Sequence, residues 1–323
     1  MMMKFYRQLR KRIEEDGFGQ VIPFFVEKWM CNVVRGFYYY IKKQSYDCDG
    51  GMVVLPVNDY VMEIDPEGSG IDYDLFVFGK REVRSTDYLK TLLRPGMTVL
   101  EVGANIGYYA LLEAQRVERV VAVEPVHSNI MRLRQNMVLN NVDNIDVFEC
   151  AAGREPGRLP LYVNESKCNL CSVHPVDGNI LSDDMVPVYT VPDILRIADC
   201  YGKVDIIRMD IEGYEFEVVM GMRDYLEEYG PLLFIELHTN KMGHNKTLSF
   251  LRILQSLNYE VLFISQDTDA IPLFSYREYR HLFNPRYQMD FSDYTISDLI
   301  DDDDVINGYY TRLLVFFAKR GDL

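Results

Sequence analysis

Apolar positions recur with two different periods along the chain. Over residues 1–45 the spacing is helical. Phe5, Leu9, Arg12 and Ile13 recur at helical intervals, and a second stretch from about residue 23 to 43 holds Trp29 and the aromatic run 37–40. After Gly50-Gly51 the period shortens. MVVLPV (52–57), YVMEI (60–64) and DYDLFVF (72–78) predict short strands, with Asp65-Pro66-Glu67-Gly68 as a turn. Residues 85–93 return to helical spacing, and Arg94-Pro95-Gly96 ends that helix.

From Met97 onward strand and helix patterns alternate. TVLEV (98–102), RVVAVE (119–124), 145–150, VDIIRMD (204–210), PLLFIEL (231–237) and YEVLFIS (259–265) are short, mostly apolar runs. Helical patterns over 108–116, 127–139, 214–228 and 246–257 separate most of them. YTRLLVFFAKR (310–320) reads as a strongly apolar strand inside the sheet. Buried strands separated by helices argue for an α/β fold, a doubly wound and mostly parallel sheet with helices on both faces. The expected organisation is an N-terminal helical and β extension over 1–84 and one sheet domain over 85–323. Within that domain, 266–304 reads as a substrate-side insertion.

Composition narrows the function. The chain has 323 residues, 34 Lys plus Arg and 49 Asp plus Glu, a net charge of −15. Such a surface repels a phosphate backbone, so no nucleic-acid partner is expected. Six cysteines are too few for a disulfide scaffold in a chain this long. No apolar run approaches the roughly 18 residues of a membrane span, and no signal-peptide core follows the charged start. A soluble, cytoplasmic protein is the expectation. The basic residues Arg7, Arg10, Lys11 and Arg12 leave room for a weak peripheral membrane or partner contact, although such runs are commonly solvated helix faces.

Candidate chemistry begins at Glu101-Val102-Gly103-Ala104-Asn105-Ile106-Gly107, where the first parallel strand meets its helix. Open α/β sheets bind ligands at the carboxyl ends of their strands. Gly103 permits a positive φ, and Gly107 permits close packing. The loop is neither the dinucleotide fingerprint G-x-G-x-x-G nor a phosphate-binding P-loop, which disfavours a nicotinamide dehydrogenase. An acid precedes it instead, and Glu101 suits a cationic ligand. Glu124 ends the second strand, where a carboxylate can accept hydrogen bonds from two ribose hydroxyls or simply cap a helix. Together they describe an adenosine ligand without phosphates, S-adenosylmethionine. On this reading Gly103→Val abolishes cofactor binding with little loss of solubility.

TVLEVGANIGYYA (98–110), VAVEPVHSNIMRLRQNMVLNN (121–141), VDIIRMDIEGYEFEVVMGM (204–222) and LLFIELH (232–238), in this order, resemble the blocks of FkbM-type S-adenosylmethionine-dependent methyltransferases. FVFGKRE (76–82) resembles the family's lead-in. The resemblance covers about 76–265 and implies a Rossmann-like methyltransferase sheet and O-methylation of a hydroxyl on a sugar, glycan, lipid or small natural product. With it, the cofactor set is read as Glu101, Gly103, Asn105, Gly107, Glu124, Pro125, Ala151 and Asp210. Arg208-Met209-Asp210-Ile211-Glu212-Gly213 follows the family's Lys-x-Asp-x-Glu-Gly signature with Arg in place of Lys. Arg holds its proton near neutral pH, so a base role for that position is lost.

The catalytic candidates are Asp210, His238, Arg208 and Glu212. Period two puts Arg208 and Asp210 on one side of their strand, and Glu236 and His238 on one side of the next. His238 has the ordinary pKa of a general base, and a structural histidine at a strand end is the plainer alternative. Glu212 is expected to start, and so cap, the following helix. Asp210, Glu236 and His238 together also permit a divalent cation, of the magnesium or manganese type. Cys168, Cys171 and His174 make a poor zinc site, because a structural zinc needs four ligands. The alternative to an enzyme is a non-catalytic S-adenosylmethionine-binding or scaffold protein. Tyr276, Tyr279, Tyr287 and Tyr294 suit stacking on a sugar or packing on the protein's own surface.

Overall fold

The computed structural model describes residue 33 and residues 36–46, 51–163, 180–265, 293–308 and 313–319. Residues 36–45 are helical, as their spacing predicts. A hairpin follows, β1 (Val53–Val57) against β2 (Tyr60–Ile64). The strand expected over 72–78 is instead the helix Ile71–Phe78. An apolar run of that length does not separate a strand from a buried helix, and here Asp72 and Asp74 lie in a helical first turn while Gly79 ends it with φ 67°. Helix Val83–Leu92 comes next.

Among the described residues the central sheet has seven strands: β3 (Thr98–Val102), β4 (Arg119–Val123), β5 (Ile145–Phe148), β9 (Ile206–Met209), β10 (Leu232–Leu237), β11 (Tyr259–Ser265) and β12 (Leu313–Lys319). Their order is β11-β12-β10-β9-β3-β4-β5. The pairs β10–β9–β3–β4–β5 are parallel, and β12 runs antiparallel between β10 and β11. This is the expected doubly wound, mostly parallel α/β sheet, and the chain has a Rossmann-like architecture.

Period two sorts the strands onto two apolar layers. Leu100, Val102, Ile207, Met209, Leu233, Ile235 and Leu237 enter one, with helices Val191–Ile197, Glu215–Gly221, Arg223–Tyr229 and His244–Ser256 over them. The helix expected over 214–228 breaks near Gly221. A Cβ there would stand 2.4 Å from Gly153 O, so another chain segment presses against the backbone. The other layer holds Val99, Val120, Ala122, Ile206, Phe234, Leu314 and Phe316. It is covered by helix Tyr108–Ala114 and by the described part of the N-terminal extension, including Leu55, Val57, Met62 and Ile64.

Polar contacts fix the hairpin on helix His127–Leu139. Asn140 Oδ1 accepts from Val61 N and Asn136 Oδ1 from Glu63 N, both below 3 Å, while Arg132 makes a two-point ion pair with Asp72. A second sheet, β6 (Ala151–Ala152), β7 (Gly157–Val163) and β8 (Ile180–Tyr189), has no counterpart in the sequence reading. Its strands are two residues long or interrupted by Pro160 and Pro187, which hides the alternation. Among the described residues, no helix is long and apolar enough to cross a membrane.

Candidate active site

Strand parity decides where the polar residues go. Glu101 has the parity of Val99, Arg208 and Asp210 that of Ile206, and Glu236 and His238 that of Phe234. All therefore belong to the face covered by the extension, at its carboxyl edge. The register sets Glu101 beside Arg208, and Arg208 beside Phe234.

The glycine loop turns between β4 and β9. Val123 O accepts from Gly103 N at 2.9 Å and Ala104 N at 3.1 Å, and Asp210 N donates to Val102 O. Gly103 has φ 87°, and a Cβ on it would stand 2.1 Å from Asp210 O. The glycine is thus required by the neighbouring strand's own backbone. Gly103→Val therefore strains the fold itself and does not act on cofactor binding alone. Gly107 has φ 98°, and its Cβ would meet Leu133 Cδ1 at 2.5 Å, so it permits close packing against helix His127–Leu139. Asn105 has φ 51°, and its Oδ1 accepts from Ile106 N.

Glu124 is 4% exposed. It accepts from Asn105 N at 2.8 Å, Val126 N at 3.0 Å and Asn129 Nδ2 at 3.2 Å. Burial raises its pKa, and these three hydrogen bonds oppose the rise. An ionised carboxylate has about four acceptor positions. Three are in use, so Glu124 has room for one ribose hydroxyl rather than two. Pro125 is half-buried beside it, and Ala151 is buried in β6.

Glu101 is not open to a ligand's amino group. It is 1% exposed and paired with Arg208 Nη1 at 2.5 Å. The Arg208 guanidinium lies 3.7 Å from the centre of the Tyr109 ring and points Nη2 at Asp210 Oδ2, 3.4 Å away. Behind Glu101 lies Glu113, fully buried. Neither Glu113 oxygen, nor Glu101 Oε2, meets a conventional donor among the described residues. The two acids lie against each other, an arrangement that needs a proton between them. Burial, then repulsion from Glu101, pushes Glu113 well above the usual carboxylate range. Burial raises Glu101 as well, to about 7, although Arg208 pulls it down, so Glu113 holds the proton more tightly.

His238 is the centre of the second half. Its Nδ1 lies 2.7 Å from Glu215 Oε1, and its Nε2 lies 3.4 Å from Glu236 Oε1, 3.6 Å from Glu212 Oε2 and 3.9 Å from Asp210 Oδ1. Burial opposes the imidazolium, but Glu215 and Glu236 outweigh it and hold the pKa well above that of free histidine. An imidazolium has no lone pair for a substrate proton, which weighs against His238 as a resting general base. Glu212 does not cap the helix. It has φ 60°, the helix starts at Glu215, and its carboxylate is paired with Lys241.

The residues that sequence reasoning missed are Glu215, Glu113, Tyr109, Lys241 and the lead-in pair Arg81 and Glu82. Tyr109 OH donates to Glu82 Oε2, and Arg81 is paired with Glu82 at 3.0 Å and Asp74 at 3.9 Å. Buried acids inside helical patterns carry no local signal. Only FVFGKRE pointed toward the lead-in. Cys168, Cys171, His174, Tyr276, Tyr279, Tyr287 and the N-terminal basic residues lie outside the described residues. Tyr294 packs on the protein's own core and donates to Asp302 Oδ2.

Solved structures similar to this chain include the methyltransferase FkbM from Methylobacillus flagellatus KT. It is 18% identical with a TM-score of 0.34, and the match covers 77% of this chain and 56% of that one. Another is M. jannaschii TYW2 in complex with AdoMet, 10% identical with a TM-score of 0.41, with 83% and 84% covered. Methyltransferase 1 of Beauveria bassiana (strain ARSEF 2860) is 26% identical over 149 residues, 39% of this chain. The match spans 58% of that protein, little more than half its length. Residues 101–261, which hold the glycine loop, Glu124, Asp210 and the His238 cluster, match the methyltransferase FkbM domain, and over that span the chain is an FkbM-type methyltransferase domain.

Proposed function

We propose that this protein transfers a methyl group from S-adenosylmethionine to a hydroxyl oxygen of a small molecule or glycan. The observation that carries the reading is one continuous carboxyl edge. At its β3–β4 end the glycine loop and Glu124 suit the adenosine. At its β9–β10 end Asp210, Glu236 and His238 suit the reacting groups. Acidic side chains there favour a ligand bearing a sulfonium and an ammonium. The substrate oxygen attacks the methyl carbon in line, the carbon–sulfur bond breaks, and sulfur keeps the electron pair. Positioning and charge supply most of the acceleration.

A buried set of charges such as Glu101, Arg208, Glu236 and His238 costs stability relative to apolar packing. Its presence beside the loop supports a working site over a decayed one. Calorimetric titration with S-adenosylmethionine tests the cofactor. Methyl-labelled cofactor, offered with glycans, glycolipids and small alcohols, tests the acceptor. A folded chain that shows no affinity for the cofactor would overturn the reading.

A further inference from the structure

We propose that Asp210 Oδ1, Glu236 Oε1 and His238 Nε2 bind one divalent cation of the manganese or magnesium class. Its role in catalysis rests on the methyl-transfer reading above, whereas its binding does not.

One ligand atom from each of these residues lies within 4.8 Å of the others. Nε2 stands 3.4 Å from Glu236 Oε1 and 3.9 Å from Asp210 Oδ1. An octahedron with bonds of about 2.1 Å has neighbouring ligands about 3 Å apart and opposite ones about 4.2 Å apart. Both distances to Nε2 fall within that interval.

Each ligand is also tied from behind. Glu215 Oε1 takes Nδ1 of His238 at 2.7 Å, which directs Nε2 into the cluster. This carboxylate–histidine pairing is the usual outer support of a metal-bound imidazole. Arg208 Nη2 faces Asp210 Oδ2, leaving Oδ1 toward the histidine. Glu236 and His238 are each 4% exposed, so the cluster is a built interior feature rather than a solvated acidic face.

Glu212 also comes within 3.6 Å of Nε2, but Lys241 neutralises it. Asp210 and Glu236 each offer an anionic oxygen and His238 a ring nitrogen, a donor set that attracts a dication, which takes the Nε2 position in place of a proton. Two oxygens with one nitrogen suit manganese or magnesium better than a sulfur-preferring metal. Asp210 is a quarter exposed, which gives the cation an opening toward an acceptor.

Three protein ligands leave positions for water and for an acceptor hydroxyl. Bound there, the hydroxyl becomes more acidic and loses its proton to solvent water. The resulting oxygen attacks the methyl carbon, carbon–sulfur cleavage neutralises the sulfonium, and the methyl ether and S-adenosylhomocysteine leave. His238 is then a ligand rather than the base.

The test is Mn²⁺ binding to the chelator-stripped full chain, read by loss of the free-ion electron paramagnetic resonance signal. One ion per chain is expected, with affinity at least tenfold weaker in Glu236→Gln and in Asp210→Asn. Two variants at differently buried positions guard against one failing to fold. Substoichiometric binding, or equal binding by the wild type and both folded variants, overturns the site. S-adenosylmethionine titration of the same stripped protein separates the two readings. Cofactor binding without Mn²⁺ binding removes the cation alone. Mn²⁺ binding without cofactor binding sustains the cation site and removes the methyltransferase reading.

Discussion

At the β3–β4 end of the carboxyl edge the backbone does most of the holding. Val123 O accepts from two successive loop amides, and a Cβ on Gly103 would collide with Asp210 O. At the β9–β10 end side chains do it: Arg208 ties Glu101 to Asp210, and His238 gathers Glu215, Glu236 and Asp210. Backbone arrangements fail through sterics and take the fold with them. Side-chain arrangements fail through charge and can be altered one group at a time.

Gly103→Val should have the largest effect, a loss of several kcal/mol or outright failure to fold, because a positive φ and a 2.1 Å overlap act together. Urea denaturation checks this. A Gly103→Val protein of near wild-type stability would erase the backbone half of the comparison.

Arg208→Met should cost about 3–5 kcal/mol, since it leaves Glu101 buried without its cation. Arg208→Lys should cost less, because a single ammonium can serve Glu101 but not Asp210 as well. Equal stability of the Lys and Met variants would show that charge does not hold the β9–β10 end.

Glu124→Ala sits at the border of the two halves. It should weaken S-adenosylmethionine by about 1–3 kcal/mol, through a lost charge-assisted hydrogen bond, and should also lower stability by a similar amount. The second loss arises because Asn105 N and Val126 N would be left without Glu124. Paired calorimetry and denaturation check both. A stability loss with unchanged cofactor affinity would make Glu124 a loop support alone.

Glu113→Gln should have the smallest effect. The folded pKa of Glu113 is raised, so the folded chain keeps a proton that the unfolded chain releases near pH 4.3. The sign follows from linkage. The stability contributed is full below that pH and is lost as pH rises toward the folded pKa. A neutral amide carries no such term. Glu113→Gln should match or exceed the wild type at neutral pH and flatten the decline between about pH 5 and 8. An unchanged decline in the variant would mean that Glu113 holds no extra proton in the folded state.

Much of this protein was legible one strand at a time. The runs at 98–102, 119–124, 204–210 and 231–237 fall on β3, β4, β9 and β10, because buried parallel strands are apolar on both faces and stand out from any background. Period two then placed Arg208 with Asp210 and Glu236 with His238, since the alternation of side chains along a strand is a local property. The glycine loop and its flanking acids were legible for the same reason.

What tertiary structure alone decided is which partner each charge has. Glu101 is separated from Arg208 by 107 residues and from Glu113 by a helix turned back over the sheet. Nothing local distinguishes an acid that meets a ligand from one that meets an arginine. The same holds for Glu215, whose place under His238 depends on a helix start at the next strand's end. The helix at 71–78 was decided in the same way. A short apolar run is compatible with either element until the surface it covers is known, and that surface is a face of a sheet assembled from residues 98–319. Periodicity is written into the chain, whereas desolvation and charge pairing exist only once distant segments have met.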